Sequence, residues 1–455
     1  LQFPLALTFL LSWVVMVGLL KITAAFAAII FMVRKKINLG TAMVLGAVIL
    51  AVLSGAGKLF FNSGTAITPR GFLTIIGKSL WDPSQKDPSA VLKLCGVVTL
   101  VLILSHCLEK TGQMAEILRL FQGLVGNTRV VLATLPALIG LLPMPGGAIF
   151  SAPMVQEAQK NIGLSPTNKT LVNYWFRHLW EYSWPLYPGL LFASELSGVS
   201  VFKLAATQFP LTVAALVGGV IFILRKIPRA LPGLTVREKK SGAGALLKEL
   251  SPIAAMFLTV VSLHALMGLH PKESLLVGLV LAILMTLGIS RLKKRMPPMA
   301  VLKSISPARI LSLVYVVIGL MIFSGTIKGS GSIAEISAMM KAYHVPLFPF
   351  IVLLSFVSGL VTGLAMAYVG IVFPIVAPLI LQVTPNPLPF LVLAFGCGFI
   401  GVLFSPVHVC LILTHQYFRS EFAAVYRRMV GPVMVVFAAV IALFLALLYL
   451  IPASA

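Results

Sequence analysis

The chain has 455 residues, of which 59% are hydrophobic and only 10% charged. That is far too apolar for a water-soluble protein of this size, and the sequence reads as an all-α polytopic membrane protein. The formal net charge is +23, yet the bases sit in short loops between apolar runs without aromatic interleaving, which excludes a nucleic-acid partner and fits charge sorting across a bilayer.

Taken in chain order, apolar runs fall at 4–33, 39–57, 90–108, 168–198, 201–224, 250–268, 272–290, 309–327, 388–413 and 430–451. Each approaches or exceeds the ~20 residues that cross a hydrocarbon core, which makes about ten transmembrane helices. The first carries Lys21 and lacks a basic leader and a clear cleavage site, so it reads as one helix and not a signal peptide. The alternation of a transmembrane β-barrel is absent. Cys95, Cys107, Cys397 and Cys410 all lie in apolar runs, with no CxxC or Cys/His cluster, and read as small core residues. No metal site, bound cofactor or enzyme motif is visible.

Two further apolar stretches, 129–158 and 346–382, are each broken in the middle. The breaks are LLPMPGGAIFSAP (141–153) and SGLVTGLAMAYVG (358–370). Both are expected to be re-entrant helical hairpins. Broken backbone survives at membrane depth only where protein or a watery cavity covers it, so the two tips should face a polar cavity. With both stretches re-entrant, most basic clusters fall on one side, among them Arg34 to Lys36, Arg225 to Lys248, Arg291 to Lys303, and Arg419, Arg427 and Arg428. That side is expected to be cytoplasmic, with both termini outside and the chain in a prokaryotic inner membrane.

An internal repeat supports the layout. SHCLEKTGQMAEI (105–117) matches SGTIKGSGSIAEI (324–336) without gaps at Ser105/Ser324, Gly112/Gly331 and the Ala-Glu-Ile triplet. Pro153, Pro166 and Pro185 then fall near Pro374, Pro387 and Pro406. Residues 1–224 form the first repeat, with hairpin 129–158 and broken helix 168–198. Residues 225–249 are a basic cytoplasmic linker. Residues 250–455 form the second repeat, with hairpin 346–382 and broken helix 388–413. The first starts outside and the second inside, so the repeats are inverted, a recurring plan of secondary transporters.

Breaks also create helix ends. Helix N-termini suit an anion, and the half-helix near Gly147 should aim its start at the cavity, with Pro145, Gly146 and Ser151 beside it. Gly363 and Tyr368 hold the matching positions of the second hairpin. The most polar span, NKTLVNYWFRHLWEYSWPLYPGLL (168–191), carries Asn173, Arg177, His178, Glu181 and Ser183 before Pro185. Asn173, Arg177 and Glu181 recur every four residues and share a helix face. Arg177 can fork onto a carboxylate, and His178 or Glu181 can carry a coupling proton; an Arg177–Glu181 ion pair that only neutralises itself is the other reading. In the matching span, GCGFIGVLFSPVHVCLILTHQYF (396–418), Ser405 and His408 are the polar groups at the break. Glu116 and Glu335 read as solvated faces of interfacial helices.

This pattern resembles the ion-transporter superfamily of gluconate permeases, citrate and dicarboxylate carriers and TRAP-transporter large subunits. LLPMPGGAIFSAPMV (141–155) and GVLFSPVHVCLILTHQYF (401–418) are similar to an uncharacterised integral-membrane family within it. The resemblance implies an elevator mechanism, with a mobile domain (129–224 and 346–451), a scaffold (about 4–108 and 250–327) and connecting arms (110–126 and 332–343). It also implies a homodimer in the lipid bilayer. The Ser-Asn-Thr signatures of the sodium–dicarboxylate branch are absent from both tips, which favours H⁺ over Na⁺ as the coupling ion. The expected function is secondary transport of a small organic anion, a carboxylate first. A cation/proton antiporter with Glu181 as ligand, and a membrane-embedded enzyme or lipid-handling protein, are the alternatives.

Overall fold

A computed structural model describes residues 5–61, 66–83, 87–125, 127–143, 147–159, 162–227 and 242–450. All regular structure among them is helical. The first half runs α1 (Leu5–Arg34), α2 (Leu39–Phe61), α3 (Pro69–Leu80), α4 (Ala90–Lys110), α5 (Gln113–Leu124), α6 (Thr128–Gly140), α7 (Ala148–Ala158), α8 (Pro166–Arg177), α9 (Pro188–Ser197) and α10 (Val201–Phe222). The second runs α11 (Gly242–Met267), α12 (Pro271–Leu292), α13 (Pro298–Lys303), α14 (Pro307–Gly329), α15 (Ser332–Ala342), α16 (Leu347–Thr362), α17 (Ala365–Val383), α18 (Leu388–Leu403), α19 (Val409–Phe418) and α20 (Phe422–Leu450). Both halves therefore read long, long, short, long, arm, hairpin pair, broken pair, long.

Eight helices among the described residues are long and apolar enough to cross a bilayer, and α6, α16, α18 and α19 are shorter apolar helices. The protein is an integral membrane protein. One of the eight is α17, which the sequence assigned to a hairpin leg. The basic segment 225–249 ends in helix, because α11 already begins at Gly242; residues 228–241 lie outside the described residues. Two short helices, α3 and α13, have no counterpart in the sequence reading. α3 starts at Pro69, which suits the first helical position, and Thr68 Oγ1 accepts the Gly71 N–H at 3.0 Å. None of its residues is buried.

Packing sorts the helices into two groups. One holds α1, α2, α4, α11, α12 and α14, where α2 lies on α14 and α4 lies on α12. The other holds α6 to α10 and α16 to α20, where α6 lies on α8, α16 on α18, α7 on α19 and α9 on α17. Each of these contacts is matched by its counterpart under exchange of the two halves. The arms cross over, with α5 on α11 and α15 on α1. Both arms begin after a glycine in the left-handed region, Gly112 (φ 69°) and Gly331 (φ 71°), which explains that matched pair of the repeat.

The arms also correct the reading of Glu335. It faces inward, not into solvent, and its Oε1 lies 3.4 Å from Nζ of the buried Lys21 on α1. A cation within an apolar span thus meets an acid from the opposite half. On α11, Glu249 is fully buried and accepts Arg295 in a fork at 2.8 and 3.2 Å, together with Lys293. Its backbone carbonyl accepts Gln113 of α5 at 2.7 Å. Removing one member of a buried ion cluster typically costs about 3–5 kcal/mol. Glu249→Ala should therefore lower the detergent-solubilised melting temperature and loosen the α5 arm, read by thermal unfolding and limited proteolysis.

Candidate functional site

The first broken helix stops at Arg177. A single 3-10 turn, Leu179–Tyr182, follows, and helix resumes at Pro188. The second stops at Leu403 and resumes at Val409. Pro185 and Pro406 lie in these gaps, where a residue without an N–H and with fixed φ cannot continue a helix. At 1.5 Å per residue α8 spans about 18 Å and α9 about 15 Å, so each covers roughly half of a ~30 Å core. The gap falls near mid-depth.

The two kinds of helix end are treated differently. Freed carbonyls near C-terminal ends are covered by aromatic donors. Trp180 Nε1 donates to Ala137 O at 2.9 Å and Tyr187 Oη to Gly140 O at 2.5 Å, both on α6. Tyr174 Oη donates to Leu403 O at 3.0 Å. The starts of α7, α9, α17 and α19 have no side-chain cap. Three of them converge on one cavity of about 110 Å³, whose walls include Gly189, Ala365 and Cys410.

Arg177 and Glu181 line the same cavity, with His408 and Gly363. A Cβ on Gly147 would lie 2.5 Å from Arg177 Nη2, so the guanidinium rests against the start of α7. Glu181 Oε1 stands 3.9 Å from Arg177 Nη1 and 3.7 Å from His178 Nε2. His178 Nε2 in turn faces His408 Nε2 at 3.1 Å, across the two halves. Gly363 ends α16 at φ 64°, and its Cα sits so close to Ser405 Oγ that a Cβ would approach it to 2.8 Å.

Other expected site residues lie elsewhere. Asn173 Nδ2 donates to Ala148 O and to Thr414 Oγ1, both at 3.0 Å, and so fastens the first hairpin to α19. Ser183 Oγ pairs with Thr212 Oγ1 of α10 at 2.7 Å. Tyr368 Oη donates to Phe395 O at 2.9 Å, while its ring covers Gly398. Ser151 is buried and bonds Ala148 O at 3.3 Å within its own turn. Ser405 Oγ accepts the Val407 N–H at 3.3 Å. These groups satisfy backbone or one another and do not line the cavity. Pro145 and Gly146 lie outside the described residues.

Sequence reasoning missed Tyr187 and Cys410 as cavity residues, whereas Met366 lies within the second tip that was expected to face the cavity. For Cys410, the signal available was its place two residues after His408, just past the Pro406 break. It also missed a larger adjoining cavity of about 650 Å³, walled by α4 and α14 on one side and by Pro143, Phe150, Pro188 and Met366 on the other. His106, Glu109, Arg309 and Ser312 line it. Pro143, Pro188 and Met366 belong to both cavities.

Among solved structures that match is the crystal structure of the Alcanivorax borkumensis YdaH transporter, which its authors describe as having an unusual topology. It is 13% identical, with a TM-score of 0.58, and the match covers 91% of this chain and 98% of that one. At that identity the likeness is one of fold. No curated protein matches the sequence. The family model described as "Protein of unknown function (DUF401)" matches residues 14–450, and the chain belongs to that family.

Proposed function

We propose that the protein is a secondary transporter of a small organic anion, a carboxylate first. The observation that carries this is the convergence of three uncapped helix starts and the Arg177 guanidinium on one cavity between the halves. Helix starts offer N–H donors and partial positive charge, and a guanidinium adds a full one. The nearby carbonyls that would repel an anion are turned to Trp180, Tyr187 and Tyr174.

The matched order of helices and their paired contacts support two inverted repeats of the ion-transporter superfamily type, residues 1–224 and 250–455. The group holding hairpins and broken helices would move against the other as an elevator, with α5 and α15 as connecting arms. The larger cavity runs between these groups, from Arg309 and Glu109 toward Pro143 and Pro188. On the positive-inside reading, its mouth is cytoplasmic. Near the other face, Lys272 of α12 pairs with Glu195 of α9 and ties the groups together. Both features support an inward-open state. A homodimer through the scaffold group would hold it still in the bilayer. A cysteine placed at the exposed Ser312 should then react with an impermeant maleimide from the cytoplasmic face of oriented vesicles and not from the outer face. Equal labelling from both faces would reverse the assignment.

His178 and Glu181 stand beside Arg177 and favour H⁺ over Na⁺ as the coupling ion. Uptake of labelled mono- and dicarboxylates into proteoliposomes, with and without an inward pH gradient, tests the proposal. Gradient-stimulated uptake of at least one carboxylate is expected. The second reading, a cation/proton antiporter, draws on Glu181 in the cavity wall. It would give cation-driven proton movement with no carboxylate carried.

A further inference from the structure

Where the two breaks meet, His408 and Cys410 of the small cavity's wall stand against His178 behind it, and the three bring a second chemistry. His178 follows α8 directly, His408 precedes α19, and Cys410 lies in the first turn of α19. One ligand atom from each lies within 4.8 Å of the other two, and all three residues are buried. Among the described residues this is the one group of three such donors. No linear spacing announces it, because the first donor comes from the opposite half of the chain.

The hydrogen bonds set the ring orientation. His178 Nδ1 lies 2.5 Å from the Tyr174 carbonyl oxygen, which can only accept, so Nδ1 carries the hydrogen. In the neutral ring, Nε2 then presents its lone pair. A backbone carbonyl on the far nitrogen is the usual device that orients a metal-bound imidazole. The His408 Nε2 faces this lone pair at 3.1 Å. Two imidazole nitrogens on one tetrahedral ion, each at about 2.0–2.1 Å, stand about 3.3 Å apart. The observed spacing is close to that. Glu181 Oε1, at 3.7 Å from His178 Nε2, stands where a fourth donor would.

We propose that His178, His408 and Cys410 form a binding site for a divalent transition ion of the zinc class, with Glu181 or the transported anion in the fourth position. Nitrogen and thiolate donors select such ions over magnesium or calcium. Binding breaks the Cys410 S–H bond, forms a sulfur–metal bond and releases one proton to water, with no change of oxidation state. The thiolate and the Glu181 carboxylate balance the two charges of the ion, and Arg177 keeps its charge for an anion. An ion here clamps the two broken helices to each other. The site does not depend on which anion is carried.

The test uses the purified full-length protein with any affinity tag removed. Cobalt(II) serves as an optical stand-in for zinc, and bound zinc is measured by elemental analysis after dialysis. One zinc per chain is expected, and cobalt should give a near-ultraviolet thiolate-to-metal charge-transfer band. That band should vanish in Cys410→Ser and persist in Cys107→Ser and Cys397→Ser. His178→Gln and His408→Gln should each weaken zinc binding by about tenfold or more. Substoichiometric binding, or a cobalt band that survives Cys410→Ser, would overturn the proposal. If the histidine variants fail to fold, the Cys410→Ser spectrum decides, provided that variant keeps the parent's melting temperature. None of these readouts requires anion uptake, so the two proposals fail separately.

Discussion

Arg177→Ala is expected to reduce carboxylate uptake by proteoliposomes at least about 100-fold. The magnitude follows from what the guanidinium supplies. Each charge-assisted hydrogen bond is worth about 1.5–3 kcal/mol, and a forked contact makes two of them. Arg177 is 2% exposed, so water cannot replace it cheaply. The neighbouring carboxylate sharpens the test. Glu181 sits 3.9 Å away, a loose ion pair and not a forked one. If Arg177 served only to neutralise Glu181, the double variant Arg177→Ala with Glu181→Gln would restore uptake. An anion-binding Arg177 predicts that the double variant stays inactive. Arg177→Lys keeps the charge but loses the planar fork, and about tenfold weaker apparent affinity is expected. The measurement is initial uptake rate against carboxylate concentration, with equal amounts of folded protein confirmed by size-exclusion chromatography.

The second large effect is expected from a single methyl group. In Gly140→Ala the new Cβ would fall 2.1 Å from the Arg177 carbonyl oxygen and 3.0 Å from its carbon. Both are backbone atoms, so no side chain can swing away. Overpacking of this kind typically costs about 1–3 kcal/mol, occasionally more, and a clash with backbone sits at the upper end. It would also shift the residue that holds the guanidinium in place. A drop in melting temperature together with lost uptake is expected. The second half has the same design, where a Cβ on Gly359 would meet the Gly398 carbonyl oxygen at 1.9 Å. The control is Gly123→Ala on α5, where nothing lies within 4 Å of the added carbon. That change should be neutral or slightly stabilising, since alanine is the better helix former.

Much of this architecture is legible in the sequence. The runs of apolar residues mark the long helices, and prolines with paired glycines mark the interruptions. Short amphipathic pieces such as α3 and α13 escape notice because they are too brief for a hydropathy window. The site is harder, for a physical reason. A polar side chain at membrane depth has two possible uses. It can face a cavity, as Arg177, Glu181 and His408 do, or it can satisfy groups that an interruption has set free. Asn173 and Tyr368 do the second, and composition cannot tell the two apart. Cys410 shows the converse. It looks like packing in a linear reading, and only the fold brings it beside His178. The larger cavity was equally hidden, since its walls come from helices that are distant in sequence.

The crossed arms bear on how the molecule is made. Because α5 rests on α11 and α15 rests on α1, a ribosome that has delivered only the first half leaves that half's arm without its resting place. Assembly must wait for the later helices to enter the bilayer. The two halves expressed as separate polypeptides should accumulate only together, each acting as the other's chaperone.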